Sequence, residues 1–232
     1  MRHRVNVAAA AWALAAAGAA GANPPPPALD ALVTYETRQV LASGVVRNER
    51  WQEQIVRRGD AVWAARVLPA SALAAHKHET STAHAGHKHF DFEAASRLVS
   101  KDSKGETVLR YVDLAHRVVV SVPRAEYGAV GFDGRWDAAA FVVPPVTIDA
   151  MKPIAGRNAA SGSRWVSEQV GAWTHRVLWS EVRQIALRVE SARADGSFSR
   201  QVTVVPAARA ASTVPWQGLD AFVQKEYDDF MD

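Results

Sequence analysis

Cysteine is absent from all 232 residues. That excludes a disulfide framework, a thiolate metal site, a cysteine nucleophile and attachment of lipid to an N-terminal cysteine. Methionine is nearly as scarce, with only Met151 and Met231 beyond the initiator, so capture of Cu(I) by thioethers has little to work with. A glycine-rich phosphate cradle and a dinucleotide fingerprint are both missing. Charge of one sign is lacking too. The formal net charge is +3, and it falls to about +1 once the two arginines of the leader are set aside. The arginines are scattered along apparent strands, whereas a nucleic-acid surface needs a clustered basic face. No nucleic-acid partner is expected.

The longest apolar run stands at the amino terminus. Arg2 and Arg4 precede "VNVAAAAWALAAAGAAGA", and Ala20-Gly21-Ala22 matches a small-x-small cleavage pattern. A run this short and this rich in small residues reads as a secretory signal peptide over residues 1–22 rather than a spanning helix, and Pro24 to Pro27 would break any helix continuing from it. The mature chain, residues 23–232, is then expected in the periplasm with no transmembrane segment after cleavage. About 210 residues suffice for one domain with a substantial core.

That domain reads as mainly β. Residues 32–41 ("LVTYETRQVL") are rich in β-branched and aromatic side chains. Residues 45–57 alternate, with Val45, Trp51 and Ile55 on one parity, and Gly59-Asp60 separates them from "AVWAARVLP" as a hairpin turn. After Phe90 the pattern resumes. "RLVSKDSKGETVLRYVD" gives two strands about a turn, and "HRVVVSVP" sets Val118, Val120 and Val122 on one face. "YGAVGFDGRWDAAAF" is punctuated by glycine, and residues 144–163 read as a long irregular connection. "RWVSEQ", "THRVLWSE", "QIALRVES" and "SFSRQVTVVP" follow at hairpin spacing, with Asp195-Gly196 as a turn. In the tail, Trp216, Leu219, Phe222, Val223, Tyr227 and Phe230 fall at spacings that suit one face of a helix. The expectation is an antiparallel sheet of eight to eleven strands with a C-terminal amphipathic helix and a long inserted loop over residues 70–88.

Residues 105–130 ("GETVLRYVDLAHRVVVSVPRAEYGAV") and the hairpin series from "RWVSEQ" to "SRQVTVV" resemble LolA-like periplasmic proteins, a superfamily of outer-membrane lipoprotein carriers and envelope-stress sensors. The resemblance implies a strongly curved antiparallel sheet, or half-barrel, with an apolar cavity on its concave side. It implies as partners a lipid-like hydrophobic ligand, a lipoprotein or another envelope protein. It brings no functional residue with it, and it covers neither the acidic aromatic tail nor the loop.

The loop is the sharpest chemical feature. "AHKHETSTAHAGHKHF" carries His76, His78, His84, His87 and His89, five of the eight histidines. Imidazole is a ligand for zinc, copper and nickel, and an H-x-H pair on extended chain turns both rings to one side. Glu79 and Asp91 offer oxygens to complete the shell or to orient a ring. The expectation is a site for Cu(II), Zn(II) or Ni(II). The competing expectation is a solvated, low-complexity loop with incidental metal affinity.

Catalysis has less behind it. "ASGSRW" lacks the second glycine of a nucleophile elbow. Asp133 and Asp137 read as a turn residue and a surface residue, and His116 and His175 as packed or surface positions on strands. An enzyme is not expected. Seven tryptophans lie beyond the leader, and of these Trp51, Trp63, Trp136, Trp165 and Trp179 are candidates to line a cavity for a large apolar ligand. Ordinary core packing would place their rings equally well. Two functions remain open: metal binding through the loop, or carriage of a hydrophobic ligand within the sheet.

Overall fold

The computed structural model describes residues 25–68 and 90–230. Every strand of it belongs to one twelve-stranded sheet, in the order β12-β6-β5-β4-β3-β2-β1-β11-β10-β9-β8-β7. The first half of the chain builds one wing as a meander: β1 (Leu29–Val40), β2 (Val46–Arg58), β3 (Ala61–Arg66), β4 (Ser96–Lys101), β5 (Thr107–Asp113) and β6 (Val118–Val122). The second half builds the other with β7 (Lys152–Pro153), β8 (Ser163–Val170), β9 (Trp173–Ser180), β10 (Ile185–Arg193) and β11 (Phe198–Pro206). The wings join where β11 pairs antiparallel with β1, in a register that sets Tyr35 opposite Val202.

The alternation seen in the sequence places its residues as expected. Leu29, Ala31 and Val33 of β1, Ile55 of β2, Val62 and Ala64 of β3, Val99 of β4 and Leu109 of β5 share one buried face. Period-two alternation allows nothing else once one of them is buried. Two short helices pack on this face, α1 (Trp136–Phe141) and α2 (Pro145–Ala150). Pro144 and Pro145 start α2, where a missing N–H costs nothing. The connection over residues 144–163 is therefore less irregular than expected, since it holds α2 and the two residues of β7.

Two expectations are corrected. The sheet neither closes nor curls strongly, so it is not a half-barrel. Its edges show why. β7 pairs with β8 through two residues only, one of them a proline without an N–H, and the opposite edge is β12, far away in the strand order.

The tail is not an amphipathic helix. Gly218 adopts φ 81° ahead of a single 3-10 turn at Leu219–Ala221, and Val223–Glu226 then forms β12, parallel to β6. Its apolar residues serve two surfaces. Leu219, with Trp216 and Phe222, covers Val56, Trp63, Leu98, Val112 and Val119 on the back of the sheet. Tyr227 and Phe230 turn round the β6 edge to the main core, where they meet Phe92 and Phe90. A helical spacing arose because the chain changes face midway.

Candidate functional site

Between the sheet and its helical cover lies a cavity of about 760 Å³, within the range of small-molecule sites. Ile55, Val62, Ala64, Val99, Val189 and Val202 form its floor. Ala138 and Ala139 of α1, with Val142, Val143 and Pro144 after it, form the roof, and Phe132 and Asp133 stand at the rim. Val142 has φ 66°, a conformation that costs a β-branched residue on the order of 1–3 kcal/mol. The strain is held where the chain reverses sharply from α1 into α2, over the cavity.

The floor is apolar except where Tyr35, Arg97, Ser191 and Arg200 enter it. The Tyr35 hydroxyl donates to Glu53 Oε2 at 3.0 Å, its ring stacks on Trp51 at 5.0 Å, and the Arg200 guanidinium lies 5.6 Å from the ring centre. Burial, then the Glu53 carboxylate, push the hydroxyl above its ordinary range, while Arg97 and Arg200 both pull it down. Both cations therefore act at one place although they arise four strands apart. Burial raises the Tyr111 hydroxyl, against which the neighbouring Arg97 works. The Nε atoms of Arg97 and Arg200 are buried and have no hydrogen-bond partner among the described residues.

A second depression, of about 520 Å³, lies among polar residues such as Glu36, Arg50, Arg176 and Gln201. Its charges meet one another, as in the Arg50–Glu36 pair at 3.4 Å. It has no apolar floor.

Beneath α1, Arg57 is fully buried and donates to four carbonyl oxygens: Pro27 at 3.2 Å, Ala140 at 2.6 Å, Gln184 at 2.9 Å and Arg183 at 2.6 Å. Burial lowers its pKa to about 10, which leaves it charged at neutral pH. It ties β2 to α1 and to the turn before β10, and so fixes the height of the roof.

The five histidines of the loop, His76, His78, His84, His87 and His89, lie outside the described residues. Among the described residues no group of three His, Asp or Glu side chains is placed to hold a metal. None of the five candidate tryptophans lines the cavity. Trp63 belongs to the back face with Leu219, Trp136, Trp165 and Trp179 are buried in the core, and Trp51 supports Tyr35 from the side. Asp137 is paired with Arg135 at 3.0 Å, and Asp133 accepts the backbone N–H of Arg135. His116 sits in the turn after β5, bound to Asp113 at 2.6 Å, while His175 is buried on β9. The arginines of the cavity were missed, because arginine on a strand reads as solvated. A signal was there: Arg97 shares parity with Val99, and Arg200 with Val202.

No family model matches the chain, and no curated protein matches it in sequence. Solved structures match it at low identity and low TM-score. A DUF1329 family protein from Desulfovibrio piger is 8% identical, with a TM-score of 0.37 over 84% of this chain and 92% of that one. A LolA superfamily protein from Nitrosomonas europaea is 8% identical, with a TM-score of 0.32 over 82% and 89%. PNGF-II is 11% identical, with a TM-score of 0.36 over 88% of this chain, which spans only 32% of that protein's length. Among the described residues no helix is long and apolar enough to cross a membrane.

Proposed function

We propose that this is an exported periplasmic binding protein, not an enzyme, that carries a hydrophobic, lipid-like ligand between its sheet and its helices. The observation that supports this is the cavity of about 760 Å³ between the sheet and the short helices above it, with a floor of valine, isoleucine and alanine. Apolar surface of this kind gains about 25 cal/mol for each Å² taken from water, so an apolar guest is favoured there. Export rests on the leader over residues 1–22.

Metal binding through His76, His78, His84, His87 and His89 is a second reading, favoured by five imidazoles within fourteen positions. One experiment separates the two. Native mass spectrometry of the purified protein should find a co-purifying lipid-like mass, lost when Ala139→Trp fills the cavity. Stoichiometric Cu(II), Zn(II) or Ni(II) without such a mass would favour the loop instead. A bare protein that also fails to bind the neutral probe N-phenylnaphthylamine would end the carrier reading.

A further inference from the structure

The cavity's polar groups carry charge that its own residues do not balance. Arg97 and Arg200 keep their Nε atoms buried without a hydrogen-bond partner, and neither forms an ion pair among the described residues. The two side chains are half-buried, and a buried N–H without an acceptor is costly. Glu53 lies behind the Tyr35 hydroxyl, from which one of its oxygens accepts, and is not among the residues that line the cavity. Arg135 is spent on Asp137, and Asp133 is exposed at the rim with an oxygen on a backbone N–H. Two half-buried guanidinium groups with no ion pair among the described residues leave a surplus of positive charge at the cavity. That surplus opens onto a floor of valine and isoleucine.

We propose that the ligand is a single-chain amphipathic monoanion, a fatty-acid-like carboxylate whose head lies between Arg97 and Arg200 and whose chain lies along the valine floor. This rests on the carrier reading and makes it specific. A planar carboxylate offers two oxygens to guanidinium N–H groups, and two arginines on one carboxylate satisfy the donors that the fold leaves open. A neutral lipid would leave both guanidinium charges without an anion. The positions of Val142 and Val143 on the roof close the chain in from above.

The test is displacement of N-phenylnaphthylamine from the purified protein by decanoate, decanol, acetate and inorganic phosphate. Decanoate should displace the probe at a concentration about tenfold or more below that of decanol, as expected when a hydrogen-bonded charge is matched. Acetate and phosphate should not displace it. Arg97→Gln and Arg200→Gln should each weaken decanoate about tenfold and leave decanol unchanged. Glu53→Gln, which keeps an acceptor for Tyr35 but removes the opposing charge, should tighten decanoate several-fold. That gain does not depend on a damaged variant. Equal displacement by decanoate and decanol, unaffected by the arginine variants, overturns the proposal while the carrier reading stands. Phosphate or acetate acting as well as decanoate overturns it in favour of a free-anion site. A probe that does not bind at all overturns both.

Discussion

Arg57 shows what a single buried side chain holds together. Its four acceptors are backbone carbonyls from the N-terminal segment, α1 and the turn before β10, so one guanidinium links all three. Arg57→Met removes the donors and leaves buried oxygens short of partners, at about 1–3 kcal/mol for each that water cannot reach. The expected loss of stability is on the order of 3 kcal/mol in urea unfolding, and a loss below about 1 kcal/mol would show that the carbonyls relax to other donors. His175 is the second case. Burial lowers its pKa while the facing Glu168 opposes that shift, and its Nδ1 lies 2.8 Å from Ser191 Oγ. A folded pKa below that of the unfolded chain gives stability that is full above about 6.5 and is lost as the pH falls through the folded value. Unfolding free energy measured from pH 7 to pH 5 should therefore drop less steeply for His175→Gln than for the wild type, and identical slopes would refute the assignment.

At the level of elements, the tail separates the two ways of reading its spacing. Leu219 packs on the back face and Tyr227 in the main core. Leu219→Ala is expected to cost about 2–4 kcal/mol, Tyr227→Ala a similar amount, and the double variant their sum within about 0.5 kcal/mol, because distant sites add. On one face of a helix, eight residues apart, the two would share neighbours and couple. Thermal melting of the three variants decides it. The long strands were legible because each alternates against a buried face. β7, α1 and α2 were not, since two to six residues carry no period that can be counted. The helical reading of the tail failed for the opposite cause: a period was present, but it belonged to two surfaces visited in turn.

For the whole molecule, hairpin pairing follows from neighbouring strands in the sequence, and every adjacent pair from β1 to β6 and from β7 to β11 obeys it. The pairing of β1 with β11 could not be read that way, because no turn connects them. The cavity was equally hidden. Parity names the residues that face inward, but only the seating of α1 and α2 decides which inward residues border a cavity. The charge of the cavity is likewise a property of the assembled sheet, since Arg97 and Arg200 come from opposite sides of β1.

The seam between β1 and β11 also sets an order of events in the life of the chain. A polypeptide delivered amino terminus first presents β1 early, and β2 can pair with one edge of it within moments. The other edge must stay open until residues 198–206 arrive, after almost everything else. Until then a hydrophobic strand with free N–H and C=O groups faces any other chain nearby, which is a template for mispairing. Closing that seam brings Val202 and Arg200 onto the cavity floor beside Tyr35. The cavity is therefore completed only when β11 arrives, late in the chain, and a half-finished molecule lacks part of its floor.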